Sequence, residues 1–304
     1  MKKLGFIVVI TGLSLGVWGQ NQSQYTGALL WKISGKDLKK PSYVLGTHHT
    51  VSVSYADSVP NLRQTIAEVK QVVGEIDMRD PAKLTTAAMK YSMMPPEYSY
   101  KSLLSDDEYA ALDKEIVKYF GVGMDNLGML HPAAISTALI QMLLIPLFPE
   151  MLNPDFETFD AYIQRTAHSL KKNVVGLETA DEQFGLLYNS EPIETQVKNL
   201  LCGIEKMDEG LADLMEVTEL YYQKQLDKIF EMYYKELQSD DDCAASESYL
   251  KALNSDRNEK WLTVLPQMMK KKPSLIAVGA GHLGGESGLL YKLNEMGYTV
   301  EAVK

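Results

Sequence analysis

The sequence predicts an α/β fold, a central mixed β-sheet wrapped by helices, and three observations carry that expectation. Short β-branched or apolar runs end at glycine four times, in Tyr43-Val-Leu-Gly46, Val72-Val-Gly74, Val174-Val-Gly176 and Leu275-Ile-Ala-Val-Gly279, which is the pattern of buried strands. Segments of helical period lie between them. In the first and last runs a histidine stands three residues past the glycine, His49 and His282, so each strand presents an imidazole after a sharp turn at its carboxyl end. Open α/β sheets place their sites at that edge.

The first 19 residues read as a signal peptide, with Lys2 and Lys3 ahead of an apolar run to Val17 and small residues before Gln20. That run is shorter than the roughly 20 residues of a spanning helix, so no integral membrane segment is expected after cleavage. The mature chain, 20–304, is expected to be one domain, periplasmic or secreted. Losing the two lysines moves the formal charge from −10 to −12. So acidic a chain suits neither nucleic acid nor anionic lipid, which need a basic surface. Cys202 and Cys243 are the only cysteines; in an oxidising compartment they are expected to bridge, the alternative being two reduced thiols.

In chain order, Ala28–Ile33 alternates as a strand, and Ser34–Pro41 turns it back antiparallel into Ser42–Leu45. Pro60–Val69 is a helix, and Gln71–Asp77 a strand that sets Glu75 and Asp77 near its end, beside the strand of His49. Pro81 to Leu170 is mainly helical, with a start signal at Ser105 and Glu108. Pro132 to Phe148 is the most apolar interior stretch and reads as a buried helix whose Met and Leu stripe is core. After the helix at Thr158–Leu170, the strand Asn173–Glu178 mirrors the first acidic strand. The order Gly-x-x-His, acid, acid, Gly-x-x-His suggests two pseudo-related halves, each contributing a Gly-x-x-His strand end to one crevice. Helices follow from Ala180 to Leu237, then an acidic loop at Ser239–Ser248 without the glycine and ligand spacing of a calcium site. A helix at Leu250–Lys270 carries Arg257 and Asn258, a glycine-rich helix opens at Gly284, and Tyr298–Val303 is the last strand. His131 and His168 read as structural or solvent-facing, and Glu286 as a first-turn helix residue.

Taken together, Trp31-Lys-Ile33, Leu45-Gly-Thr-His-His49, Gly74-Glu-Ile-Asp77, Phe159-Asp160, Val175-Gly-Leu-Glu-Thr179 with Gln183, Arg257-Asn258 and Val278-Gly-Ala-Gly-His-Leu-Gly-Gly285 resemble the TraB/PrgY/GumN family. That family is similar in turn to the Tiki metalloproteases and, more remotely, to the erythromycin esterases. The resemblance spans nearly all of the mature chain in the family's order. It implies an α/β fold, a site shared by the two Gly-x-x-His motifs and, for Tiki-like members, peptide-bond hydrolysis with a divalent metal of the manganese or cobalt type. His48 departs from the pattern, where the family more often has an apolar residue. Which imidazole of the pair faces the crevice is therefore open, although the family spacing picks His49.

Imidazoles and a carboxylate suit a divalent ion of intermediate hardness, zinc included, that lowers the pKa of bound water. His49 and His282 are the expected ligands. Glu75 is a third ligand or the base that takes the water's proton, and Glu178 a second acid that orients an imidazole. Arg257 is expected to stabilise a developing oxyanion or to pair with Glu75 or Glu178. The expected activity is an exported, metal-dependent hydrolase that cleaves an amide or peptide bond in a peptide or small-molecule substrate. Two alternatives stand beside it, a metal-free His/Glu hydrolase of esterase type and a secreted protein that binds a peptide or small ligand without catalysis. There is no Gly-x-Ser-x-Gly, His-Glu-x-x-His or phosphate loop, so serine-hydrolase, thermolysin-like and nucleotide-dependent chemistry falls away.

Overall fold

The computed structural model describes residues 25–153, 155–235, 243 and 245–304. Residues 1–19, expected to be a signal peptide, and the acidic run Asp240–Asp242 lie outside the described residues. β1 (Leu30–Ser34) and β2 (Ser42–Thr47) form the expected antiparallel pair, and α1 (Leu62–Glu68) leads to β3 (Gln71–Gly74). Before β4 (Asn173–Gly176) come α2 (Pro81–Tyr91), α3 (Tyr100–Leu103), α4 (Asp106–Phe120), α5 (Met124–Leu127), α6 (Pro132–Leu144) and α7 (Phe159–Ser169). After it come α8 (Ala180–Asn189), α9 (Ile193–Glu205), α10 (Met207–Tyr222), α11 (Leu226–Tyr234), α12 (Glu247–Leu253) and α13 (Ser255–Lys271). The chain ends with β5 (Ser274–Gly279), α14 (Leu289–Glu295) and β6 (Thr299–Ala302).

The six strands form one mixed sheet in the order β4-β3-β5-β2-β1-β6. β4, β3, β5 and β2 are mutually parallel, and β1 runs against both of its neighbours. The strand of Glu75 is therefore not beside that of His49. β5 lies between them because Leu275, Ile276 and Val278, each fully buried, suit the most enclosed position of a parallel sheet. The register keeps the parallel strands level: Thr47 faces Gly279, and Gly74 faces Ala277 on one side and Gly176 on the other. Level ends gather all four following segments at one edge. Gly176 has to be glycine, since a Cβ there would stand 2.7 Å from the Glu178 carbonyl oxygen and 2.8 Å from the Asp77 nitrogen.

Helix caps are written locally. Ser105 and Glu108 cap α4 reciprocally as expected, and the His131 ring accepts from Ala133 N–H at the start of α6. The turn Gly284–Ser287 is not helical. Asn258 donates to the Ser287 carbonyl and Asp227 accepts from Gly285 N–H, which holds the turn open, so α14 begins only at Leu289 and Glu286 is an exposed turn residue.

Alongside the main core, Tyr100, Leu112, Ile116, Met124, Ile135, Val197 and Leu200 form a second cluster inside the helices between β3 and α10. α6 is only partly core. Ile135, Leu139 and Leu144 are buried, but Ile140 and Met142 are exposed, as is Leu147 beyond the end of the helix. A helix apolar on every side cannot bury every side against one layer of neighbours.

Cys202 and Cys243 are bridged, 41 residues apart in sequence. Closing a loop of that length removes about 4 kcal/mol of unfolded-chain entropy. Chemical denaturation with and without a thiol reductant is expected to show a loss of that order, at unchanged far-UV circular dichroism in water.

Candidate functional site

The level carboxyl ends of β4, β3, β5 and β2 set Glu178, Glu75, His282 and His49 side by side in that order, and α13 lays Arg257 across the first three. Arg257 donates through Nε to Glu178 at 2.8 Å and through Nη2 to Glu75 at 2.6 Å. Its Nη1 is 3.2 Å from the Leu253 carbonyl and 3.1 Å from His282 Nε2. The guanidinium also lies 4.8 Å from the centre of the buried Trp261 ring. Both carboxylates are enclosed, Glu178 4% and Glu75 15% exposed. Such burial is tolerable only because one cation serves both.

Glu75 is the hub. Its Oε1 accepts from Gly279 N–H at 2.8 Å and its Oε2 from Gln183 Nε2 at 3.0 Å. Burial pushes its carboxyl up. The positive charge of His282 when protonated, the Arg257 guanidinium and the Gly279 amide outweigh burial and hold it down to about 2. Glu178 takes Arg257 and the Trp261 indole N–H on one oxygen. It therefore anchors the arginine and does not orient an imidazole.

Asn258 does that work. Its Nδ2 donates to the carbonyls of His282 and Ser287, so its Oδ1 must accept, 2.9 Å from His282 Nδ1. The proton of His282 is thereby fixed on Nδ1 and the lone pair on Nε2. Burial lowers this imidazole to about 4 against the opposing pull of Glu75. His282 is neutral at physiological pH, with its lone pair 3.9 Å from Glu75 Oε1.

The open pair at the end of β2 resolves by environment. His48 turns inward, its Nδ1 accepting from Thr50 and its ring 5.3 Å from that of Tyr221. Desolvation lowers it to about 4. His49 faces solvent, 78% exposed, with Nδ1 3.3 Å from Asp160 Oδ2. The Asp160 hydrogen bond raises it to about 9. Asp160 stands in the first turn of α7 and also accepts from Thr47. His49 is the imidazole cation at this edge of the sheet, and both Glu75 and Arg257 lie within its electrostatic reach. NMR titration is expected to place the His49 pKa well above 6.5, and Asp160→Asn to return it to 6.5 or below.

Five functional side chains expected from the sequence thus converge at one edge. Asp160, Gln183, Asn258 and Trp261 were assigned no role, although the first three fall within the resembling motifs. Tyr233 of α11 is a further addition. Its ring seats on Gly281, where a Cβ would stand 2.6 Å from Tyr233 Cε2, and it senses Glu75 and Arg257. Asp77 is outside the cluster, paired with Arg79 on the surface. A depression of about 440 Å³ lined by Lys32, Tyr43, Thr65 and Glu301 shares no residue with it.

The fit to a divalent metal was expected to run through His49, His282 and Glu75. Among the described residues, no three His, Cys, Asp or Glu side chains are grouped so as to hold an ion. Asp160 pairs with His49, and the Arg257 guanidinium contacts both Glu75 and His282. As arranged, these side chains are not grouped around one ion position. No helix among the described residues is long and apolar enough to cross a membrane.

Searches of curated proteins and of solved structures give no match. The profile of the TraB/PrgY/gumN family matches residues 29–302, from the start of the first strand to the end of the last and across every site residue above. The chain belongs to the TraB/PrgY/gumN family.

Proposed function

We propose that this edge hydrolyses an amide or peptide bond in an exported protein. The observation that carries the reading is the pairing of opposite protonation states in one crevice. A neutral imidazole, His282, offers a lone pair 3.9 Å from an ionised Glu75, while His49 stays protonated beside it. Two acceptors at that separation can share one water at ordinary hydrogen-bond lengths of about 2.8 Å. As the water oxygen attacks the carbonyl carbon, its proton passes to His282 Nε2. Arg257 Nη1 yields that atom and keeps the Leu253 carbonyl as its partner. Glu75 and the Asn258 oxygen stabilise the imidazolium, the division of labour that an acid and an orienting group supply in a triad. His49 stabilises the oxyanion and donates its proton to the departing nitrogen. The Cys202–Cys243 bridge supports export, since such bonds persist in oxidising compartments.

A metal-dependent version rests on the family resemblance alone, with His49, His282 and Glu75 as the residues that would hold manganese, cobalt or zinc once Arg257 and Asp160 released them. When bound, such an ion supplies an acidified water.

The test is digestion of a diverse peptide library by residues 20–304 in H₂¹⁸O, before and after loading with manganese, cobalt or zinc. New carboxyl termini carrying ¹⁸O, lost in His282→Gln and His49→Gln, are expected. Product only after loading, with bound metal lost in His282→Gln and Glu75→Gln, would select the metal-dependent version. No labelled terminus under any condition would refute hydrolysis.

A further inference from the structure

One hydroxyl at the crevice is not used by the chemistry proposed above. α11 docks one face on the glycine-rich segment that carries His282. A Cβ at Gly284 would stand 2.5 Å from the Leu226 carbonyl oxygen, one at Gly285 would strike the Phe230 ring, and one at Gly281 would stand 2.6 Å from Tyr233 Cε2. Residues 226, 230 and 233 are i, i+4 and i+7, a single stripe of the helix. Two hydrogen bonds fix the seat, since Asp227 accepts from Gly285 N–H and Asn254 Nδ2 donates to the Gly281 carbonyl. Tyr233 Cζ, which bears the hydroxyl, would be 3.2 Å from the same Gly281 Cβ. The phenol tip therefore lies over the turn one residue before His282, within electrostatic reach of Glu75 and Arg257. Tyr233 is nonetheless 43% exposed, and its hydroxyl has no hydrogen-bond partner among the described residues.

What that hydroxyl can do follows from the donors already committed. His49 has Nδ1 against Asp160, which leaves one N–H for substrate. A single N–H cannot hold the carbonyl oxygen and also give its proton to the departing nitrogen. The N–H groups of Arg257, Gln183, Trp261 and Asn258 are turned to Glu75, Glu178 and backbone carbonyls. At the other Gly-x-x-His segment, Thr47 donates to Asp160, Thr50 meets His48, and Tyr221 donates to the Gly46 carbonyl at 3.0 Å. Ser287 Oγ has no partner but is sealed from solvent. The Tyr233 hydroxyl is both unpartnered and open.

We propose, resting on the hydrolase reading, that the Tyr233 hydroxyl donates a hydrogen bond to the carbonyl oxygen of the scissile bond, leaving the free N–H of His49 for the departing nitrogen. When the water oxygen bonds to the carbonyl carbon, the π pair moves onto the carbonyl oxygen, and the phenol holds that charge without giving up its proton. The pair returns as the C–N bond breaks and the nitrogen takes the His49 proton. Burial against the turn and the Glu75 charge push the phenol above its ordinary value, so it stays a donor at neutral pH. Because full charge on the oxygen exists only beyond the ground state, the contribution falls on kcat.

Tyr233→Phe tests it, because the ring stays on Gly281 and only the hydroxyl is lost. With a peptide that the unaltered chain cleaves in the library digest, kcat is expected to fall by about 10²- to 10³-fold, the usual cost of one oxyanion donor, at nearly unchanged KM. The same peptide with a phosphonate in place of the scissile amide presents a charged tetrahedral oxygen, and Tyr233→Phe is expected to bind it more weakly than the unaltered chain does. Equal kcat in the two proteins overturns the proposal. So does a higher KM at equal kcat, which would make the hydroxyl a ground-state contact. Tyr233→Ala removes the ring as well; if it is inactive while Tyr233→Phe is fully active, the residue only supports the turn and the proposal falls. No cleavage by the unaltered chain refutes the hydrolase reading and this role with it, whereas cleavage that Tyr233→Phe leaves unchanged refutes this role alone.

Discussion

Arg257→Met is expected to destabilise the protein by about 3–5 kcal/mol near neutral pH, the usual cost of leaving a buried charge without its partner, and to abolish activity. Two enclosed carboxylates, Glu75 and Glu178, share this guanidinium, and neither has another cation within bonding distance among the described residues. The pH dependence separates this account from a loss of packing against Trp261. Glu75 is held near 2 in the folded protein against an ordinary 4.5, so its contribution is present above about 4.5 and is lost as pH falls towards 2. In Arg257→Met the Glu75 carboxyl loses its neighbouring cation, so burial shifts it up instead, and protonation relieves it. The gap between the two proteins in urea denaturation is expected to be widest at pH 7, to narrow once pH falls below the raised carboxyl pKa of the variant, and to close only towards pH 2. A gap of constant size would mean that the arginine holds the site by packing. Arg257→Lys is expected to recover only part of the loss, since one ammonium cannot reproduce the Nε and Nη2 contacts to separate carboxylates.

His282→Gln is expected to lower kcat by about 10²- to 10⁴-fold, the range for removal of a group that accepts the proton in the rate-limiting step. Its neighbour gives the sharper test. Asn258 holds the His282 proton on Nδ1 with a neutral oxygen, so with the proposed chemistry the unaltered protein is expected to keep its rate down to a pH near 4, where that imidazole titrates. Asn258→Asp puts an anion against the same N–H and raises the imidazole pKa. The acidic limb of the pH–rate profile is expected to move up by a unit or more, with the fold checked by circular dichroism. An unmoved limb would assign proton acceptance to another group.

Much of this site was legible in the sequence because its strands advertise themselves. β-Branched runs that stop at glycine fixed where Glu75, Glu178, His49 and His282 leave the sheet, and level parallel strands did the rest. The insertion of β5 between β3 and β2 was not legible, since strand order depends on crossover packing and not on any local pattern. Asp160, Asn258 and Trp261 sit on helices, where periodicity gives a face but not what lies opposite it. Glu178 and Asn258 show the limit well. A carboxylate is a common partner for an imidazole, yet Asn258, one position along from Arg257, takes that place, while Arg257 claims the acid. α6 misled for a related reason, because hydrophobicity without a period cannot say which side is covered.

The bridge between Cys202 and Cys243 has a topological consequence. The covalent ring it closes contains α10 and α11, hence Tyr221 against His48 and Tyr233 against Gly281. Both Gly-x-x-His segments therefore lean on parts of one closed loop. A single backbone cut anywhere inside that ring leaves the molecule in one piece, with both aromatic supports still leashed to the sheet. In a compartment shared with proteases, a nick there would open the loop without shedding either wall of the crevice.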